Sequence, residues 1–207
     1  EEMDKAKMDR LLAAQEPKGF VIKKEEQSFK RYLRISDRTV TYPDGRDIAY
    51  DVVVSASNQF VTVLPFQTKQ KTFSVIREYW QGPHCLGAGI ACGGLDLNKH
   101  TSAQHAAECE LSEECHLKGG TWVKLVPDGH PGVMEAKWAA TRFTPFLVLD
   151  AEKDDAPQAG DEEEWITQET MGVEEIEELA YSGLMHLPAT VTVFMALRHL
   201  RKEGLIQ

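Results

Sequence analysis

The period of the hydrophobic pattern changes along the chain, and the resulting order of strand-like and helix-like segments limits the folds that the sequence can adopt. From Phe20 to about Ser57, apolar and polar residues alternate at every second position, as in FVIKK, YLRI and RTVTYPDGRDIAYDVVVSAS. Such alternation is typical of β-strands with one buried face. The turn residues Pro43, Asp44 and Gly45 separate two of these runs. We therefore predict a meander of antiparallel strands in this region.

The other segments switch between helix-like and strand-like periods. Apolar stripes with helical spacing predict helices at Met3–Gln15, about 102–117, Val173–Ser182 and Ala189–Glu203. Strand-like runs lie at Phe60–Pro65, Thr72–Trp80, KLVP and Lys137–Asp150. Strands first, then one helix among further strands, then terminal helices predict an α+β layered domain with a mixed sheet.

The length of 207 residues, of which 42% are hydrophobic, is enough to bury a substantial core. We expect a helical extension at residues 1–19, antiparallel strands at 20–57 and the main domain at 58–207. The strands and the main domain are expected to form one globular unit.

The formal net charge of −10 is concentrated in one part of the chain. Between Ala151 and Ala180 there are twelve acidic residues and one basic residue, Lys153, so the other residues together carry about +1. Because this distribution contains no basic stripe, extended binding to a nucleic-acid backbone is disfavoured. A small anionic ligand held by a metal ion is compatible with it.

The four cysteines do not form a recognisable ligand or disulfide pattern. Their positions are Cys85, Cys92, Cys109 and Cys115, without CxxC spacing. We interpret them as reduced thiols of an intracellular protein, in the cytosol or an organelle matrix and not secreted. A zinc site of Cys85 and Cys92 with His84 or His100 is the less favoured interpretation, because closely spaced ligand pairs are missing.

The hydropathy of the chain predicts no membrane span, because no run of about eighteen apolar residues is present. The first residue is Glu1 rather than Met. A leader that has been removed therefore stays an open alternative.

The helix predicted at about 102–117 carries the main chemical signal. Its sequence AAECELSEEC places Glu110, Glu113 and Glu114 within an arc of about 100°. Neighbouring carboxylates on a helix repel each other unless they are solvated or bind a cation. Ala107 and Leu111 lie beside this arc and can anchor the helix to the sheet, so the acidic edge would line a cleft. Oxygen ligands of this kind suit Mg²⁺ or Mn²⁺, and a plain solvated helix face is the alternative.

Two glycines, Gly93 and Gly94, precede this helix and would let the backbone approach a ligand closely, as phosphate sites often require. The stretch GLDLNKHTSAQHAAECELSEECHL, residues 94–117, resembles the Nudix box. The positions that match the box are Gly94, Glu110, Leu111, Glu113, Glu114 and Leu117. The resemblance implies that the three glutamates of the helix face a metal ion.

The chain departs from the box at three places. Cys109 occupies the position of the box arginine, and His116 occupies that of the glycine after the glutamate pair. His100 or Thr101 lies near the place of the first box glutamate, which is absent. In the family that arginine orients a ligating carboxylate, so its loss removes support for a ligand rather than a ligand. We expect weaker metal binding or slower turnover.

Beyond the box, the chain resembles the ADP-ribose and ADP-sugar pyrophosphatase branch of the Nudix family. TYPDGRDIAYDVV is similar to the early hairpin of that branch, FVTVLP and FSVIREYW to its next strands, and ATVTVFMALRHL to its last helix. The resemblance implies the Nudix fold, an α/β/α sandwich with a mixed β-sheet, and a homodimer. An acidic loop carries the catalytic base in this branch; GDEEEWI resembles it, with Glu164 as the best match and Glu163 in reserve.

The reaction implied by the resemblance is metal-assisted hydrolysis of the diphosphate in a nucleoside diphosphate linked to another moiety, ADP-ribose or an ADP-sugar. Glu110 and Glu114 would hold Mg²⁺ or Mn²⁺, with Glu113 as a further ligand or orienting group in catalysis. Glu164 would deprotonate the attacking water.

The expected substrate-binding residues lie on the strands around the helix. They are Arg77, Tyr79, Gly93 and Gly94. Arg77 could contact a phosphate through two hydrogen bonds, but a structural ion pair is equally compatible with it. Tyr79 or Trp80 could stack on a base, although an aromatic residue in such a strand is more often part of the core.

Two other functions remain as alternatives. The first is a Nudix-fold binding or assembly subunit that has lost catalysis, which Cys109 and the missing first glutamate favour. The second is a hydrolase of RNA 5′ ends, which would need a basic partner that this acidic chain lacks. Turnover of a diphosphate substrate distinguishes the enzyme from the binding subunit.

Overall fold

The structure, a computed structural model, describes residues 5–31, 33–160 and 165–207. Within these ranges the helices are α1 (Lys5–Ala13), α2 (Ala103–Cys115), α3 (Val173–Tyr181) and α4 (Leu187–Lys202). The strands are β1 (Val21–Lys30), β2 (Arg34–Thr41), β3 (Asp47–Val54), β4 (Gln59–Gln67), β5 (Thr72–Trp80), β6 (Cys85–Gly89), β7 (Ala91–Gly94), β8 (Leu117–Lys118), β9 (Thr121–Lys124), β10 (Val133–Met134), β11 (Arg142–Leu149), β12 (Glu152–Lys153) and β13 (Ile166–Gly172). Among the described helices, none combines the length and the apolar character needed to cross a membrane.

The chain forms two compact units. The first takes in the described residues up to Asn58 together with Pro127–Arg142. It contains a sheet of order β1-β2-β3 in which both pairs of neighbouring strands are antiparallel. Gly45 closes the turn between β2 and β3, with φ of 85° and a hydrogen bond from its N–H to Tyr42 O at 2.9 Å. The meander predicted from the alternating sequence is confirmed.

The segment Pro127–Arg142 joins the first unit through backbone hydrogen bonds to β3. Val53 N donates to Trp138 O, and Ala140 N donates back to Val53 O, both at 2.9 Å. The sequence pattern predicts a single strand at Lys137–Asp150, but the observed strand β11 begins only at Arg142. The residues before it form a turn, in which the side chain of Trp138 is exposed.

The second unit, Gln59–Val126 and Phe143–Gln207, is built on a sheet with the order β11-β4-β5-β13. Three further strands extend this sheet: β9 pairs with β11, β7 pairs with β4 and β6 pairs with β5. The pair of β4 with β7 matters most for the site, because it brings Cys92 and Gly93 opposite Thr62 and Val61.

Helices cover both faces of this sheet. Along β4, Val61 and Val63 pack in the core beneath α2, whereas Leu64 and Phe66 pack in the core beneath α3 and α4. This division follows from the pleat of a strand, which turns successive side chains to opposite faces. Because helices cover both faces of these strands, their sequences are continuous apolar runs, FVTVLP and FLVL, in the middle of the sheet. The α+β architecture with a mixed sheet, predicted from the order of elements, is confirmed.

The structure corrects three details of the sequence-based assignment. The glycine-rich stretch GAGIACGG, to which the hydrophobic pattern assigned no element, forms the end of β6 and all of β7. The run after the acidic segment forms β13, which the sequence pattern did not predict. The strand expected at KLVP lies earlier, at Thr121–Lys124.

Candidate active site

The helix α2 has well-defined ends that fix which residues face the sheet. Ser102 is the N-cap residue, and its Oγ accepts a hydrogen bond from His105 N at 3.0 Å. The helix ends at His116, which has left-handed backbone geometry with φ of 52°. Between these caps the buried residues are Ala106, Ala107, Leu111, Ser112, Glu114 and Cys115. The prediction that Ala107 and Leu111 anchor the helix agrees with their complete burial.

Glu114 is a charged residue held inside this packing. Its residue surface is only 7% exposed, and its Oε2 accepts a hydrogen bond from the backbone N–H of Cys92 at 2.9 Å. Burial of a carboxylate without hydrogen bonds is costly, so this backbone donor stabilises the arrangement. The contact fixes the carboxylate of Glu114 beside β7.

Glu110 lies one helical turn before Glu114 and faces the next residue of the same strand. A Cβ atom built on Gly93 would overlap the carboxylate of Glu110, whereas a Cβ atom on Gly94 would meet nothing within 4 Å. Only glycine at position 93 therefore leaves room for this carboxylate. The sequence predicted a close backbone approach at these glycines, and the structure shows that a carboxylate makes it at Gly93.

The two carboxylates of Glu110 and Glu114 thus lie against consecutive residues of β7, and Glu113 is half-buried on the same helix. Among the described residues, no group of three or more His, Cys, Asp or Glu side chains has a geometry that could hold a metal ion. Mg²⁺ sites commonly use one or two carboxylates and complete their shell with water and substrate phosphates. The carboxylates of Glu110 and Glu114 fit Mg²⁺ or Mn²⁺ if water and substrate phosphates supply the remaining ligands.

A cysteine next to the glutamates is not suited to nucleophilic chemistry. Cys115 is 3% exposed. Burial raises the pKa of its thiol to about 12, and the nearby charge of Glu114 adds to the shift. Because the thiolate is the reactive form, Cys115 is inert at neutral pH.

Arg77 forms an ion pair with Glu169, with 3.0 Å between Nε and Oε2. Its neighbour Ile76 packs with α2, and side chains alternate along a strand, so Arg77 points to the opposite face of β5 from α2. The structure therefore does not bring Arg77 to the face that carries the glutamates. The structural ion pair, which the sequence analysis held open for this residue, is present.

Tyr79 and Trp80 end the same strand and have different surroundings. The Tyr79 hydroxyl is hydrogen-bonded to His84 Nδ1 at 2.8 Å, and the residue as a whole is 43% exposed. Trp80 covers Gly87, where an added Cβ atom would overlap the indole ring, and its ring meets His186 edge-on. Tyr79 is thus accessible to a ligand, whereas Trp80 is engaged in packing.

Two polar residues near the glutamates were not singled out from the sequence. Gln168 on β13 donates from Nε2 to the backbone carbonyl of Glu114 at 3.1 Å. Ser112 on α2 donates from Oγ to Asp154 Oδ2 at 2.9 Å. Neither carries a motif, and only the pairing of distant segments reveals them. The predicted base Glu164 and its reserve Glu163 lie outside the described residues.

Comparisons with known proteins find a similar fold, but no similar sequence. No protein-family model matches the chain, and no curated protein sequence matches it. A solved structure described as "Crystal structure of ADP compounds hydrolase" is similar, with a TM-score of 0.74 and 17% sequence identity. The match covers 93% of this chain and 100% of that chain. It supports the predicted Nudix-type α+β fold for nearly the whole length of the protein.

Proposed function

We propose that the protein is a Nudix-type pyrophosphohydrolase that cleaves the diphosphate of a nucleoside diphosphate linked to a second moiety. ADP-ribose and ADP-sugars are the proposed substrates. One observation carries this proposal: α2 places the carboxylates of Glu110 and Glu114 against consecutive residues of β7, where Gly93 leaves room for that of Glu110 and Cys92 N donates to that of Glu114. The similar solved structure, described as an ADP compounds hydrolase, supports the same class of substrate.

The proposed cofactor is Mg²⁺ or Mn²⁺, held by Glu110 and Glu114 with Glu113 as a further ligand or orienting group. When bound, such an ion neutralises phosphate charge and lowers the pKa of a water molecule. The hydrogen bond from Cys92 N keeps one oxygen of Glu114 directed toward β7.

The proposed base is Glu164, which would take a proton from the attacking water. The proposed substrate contacts are Tyr79, whose exposed side chain would stack on the base, and the backbone at Gly93 and Gly94. Arg77, which the sequence also suggested for this role, is left out because its ion pair with Glu169 lies on the face of β5 opposite the glutamates. The homodimer and the intracellular location expected from the sequence belong to the same proposal.

Hydrolysis of ADP-ribose in the presence of Mg²⁺ tests the proposal. We expect AMP as a product for the wild-type protein, and a loss of at least about 100-fold in kcat for Glu114→Gln, which removes a charged group from the metal shell. Glu108→Gln is the matched control, because Glu108 is exposed on the same helix and hydrogen-bonded to Gln104. If the wild-type protein hydrolyses no diphosphate substrate at millimolar metal, the hydrolase proposal is wrong.

The second candidate function is a binding subunit with the same fold and no catalysis. This function is favoured by Cys109, which stands in the position of the box arginine. It is also favoured because the described residues contain no group of three side chains that could hold a metal ion. Calorimetric titration with ADP-ribose distinguishes the two functions. A binding subunit would bind the nucleotide and leave it intact after prolonged incubation with metal.

A further inference from the structure

The last turn of α2, which carries Glu113 and Glu114, is held by a neighbouring segment through Ser112. The Ser112 hydroxyl donates to Asp154 Oδ2 at 2.9 Å and accepts a hydrogen bond from Gln158 N at 3.0 Å. Ser112 is 5% exposed, so these contacts lie within the packed part of the unit. A buried hydroxyl with both a donor and an acceptor partner has one preferred orientation.

Asp154 joins this helix turn to the chain that follows β12. Its backbone N–H donates to His116 O at 2.8 Å, directly after the end of α2. Its side chain is 12% exposed and accepts from Lys118 Nζ at 3.2 Å as well as from Ser112. The N–H of Ala156, followed by the Ser112 hydroxyl and the Lys118 ammonium, holds the pKa of Asp154 below its usual range. Asp154 is therefore a charged anchor at neutral pH.

A second anchor reaches the same turn from β13. Gln168 Nε2 donates to the backbone carbonyl of Glu114 at 3.1 Å, while the side chain of Glu114 accepts from Cys92 N. Glu114 is thus held at its main chain by one strand and at its side chain by another. Since a rotation of the last turn would break both contacts, the two strands together define the direction of this carboxylate.

We propose that Asp154 and Gln168 are positioning residues for the glutamates of α2. Through Ser112 and the carbonyl of Glu114, they fix the rotation of the last helical turn, so that the carboxylates of Glu113 and Glu114 are presented in one direction. In this role they act through the helix and not directly on substrate or metal. Their catalytic consequence rests on the proposed function, but their effect on the geometry of Glu114 does not. Groups that orient metal ligands typically contribute 10-fold to 100-fold, roughly, to metal affinity or activity.

The variant Asp154→Asn tests this proposal, with Asp155→Asn as its matched control. Both remove one negative charge, but Asp155 is paired with Lys153 and its side chain is 81% exposed. We expect Asp154→Asn to weaken Mn²⁺ binding about tenfold in a titration followed by electron paramagnetic resonance without substrate. We expect a similar loss in kcat for ADP-ribose with little change in KM, and wild-type values for Asp155→Asn.

Exchange of the Cys92 amide proton, followed by nuclear magnetic resonance, gives a readout that does not depend on metal or activity. Asp154→Asn and Gln168→Ala should speed this exchange relative to Asp155→Asn, because the carboxylate that accepts from Cys92 N is no longer held in one direction. If the wild-type protein neither binds Mn²⁺ nor hydrolyses a diphosphate, the proposed function is wrong. The positioning role is then tested by the exchange rate of the Cys92 amide proton alone.

Two results would overturn the positioning role. One is an unchanged rate of Cys92 amide exchange in both variants. The other is a lowered melting temperature of Asp154→Asn while the folded protein keeps wild-type Mn²⁺ affinity and kcat, which would make Asp154 purely structural.

Discussion

At the scale of single residues, the contact between Gly93 and Glu110 connects the strand to the acidic helix. The Glu110 carboxylate occupies the space in which any other residue at position 93 would place its Cβ atom. The neighbouring Gly94 has open space at the same point and pairs with Phe60 in the sheet. Two adjacent glycines that look equivalent in the sequence therefore have different tolerances to substitution.

The pair of variants Gly93→Ala and Gly94→Ala tests this difference. Gly93→Ala should displace the Glu110 carboxylate and weaken Mn²⁺ binding about tenfold or more, whereas Gly94→Ala should bind Mn²⁺ as the wild type does. The free energy of unfolding should change by less than about 1 kcal/mol in both, because alanine suits a strand interior at least as well as glycine. Calorimetric Mn²⁺ titration and denaturant unfolding measure the two effects. Equal Mn²⁺ affinities in the two variants would contradict the role of Gly93.

At the scale of secondary-structure elements, the start of α4 depends on a neutral histidine. His186 is the N-cap residue, and its Nδ1 accepts a hydrogen bond from Ala189 N at 3.4 Å. Its ring also meets Trp80 edge-on, with 5.3 Å between the ring centroids. Burial lowers the pKa of His186 from 6.5 to about 4. A protonated Nδ1 could no longer accept the capping hydrogen bond.

This shift predicts a pH dependence of stability. Between pH 4 and 6.5 the unfolded chain binds a proton at His186 that the folded protein does not, so the free energy of unfolding rises with pH across this range. The stability that comes from keeping His186 neutral is fully present above about pH 6.5. As the pH falls toward 4, the free energy of unfolding decreases by an amount on the order of 3 kcal/mol. Denaturant unfolding of the wild type and His186→Asn at pH 5 and 7 measures it. The variant keeps a capping side chain and should lose less stability between the two pH values; an equal loss would contradict the assignment.

The elements that sequence analysis predicted are those whose pattern reflects burial on one or two faces. The meander around Gly45, the strands β4 and β5 and the helix α2 follow directly from alternation, apolar runs and capping. The strands β6 and β7 have no alternating pattern from which they could be predicted, because their sequence is rich in glycine; in the structure Gly87 and Gly93 make room for Trp80 and Glu110. β13 was missed because it lies at the end of the sheet order and carries a polar sequence.

At the scale of the whole molecule, the order of elements was enough to predict the α+β fold, and the similar solved structure supports it across 93% of the chain. The glutamates of α2 were found because helical spacing is visible in a sequence. Their supports, Cys92 N, Gln168 and Asp154, could not be found in this way, because they come from segments far apart in the chain. The face on which Arg77 lies relative to α2 also became visible only through the packing of its neighbour Ile76.

The most direct test of the central claim is a crystal structure of the protein with Mn²⁺ and a non-hydrolysable ADP-ribose analogue, measured with anomalous diffraction. The account predicts a manganese peak bound by Glu110 and Glu114 beside β7, in contact with the diphosphate of the analogue. Analogue bound with no manganese peak at these carboxylates, at saturating metal, would contradict it.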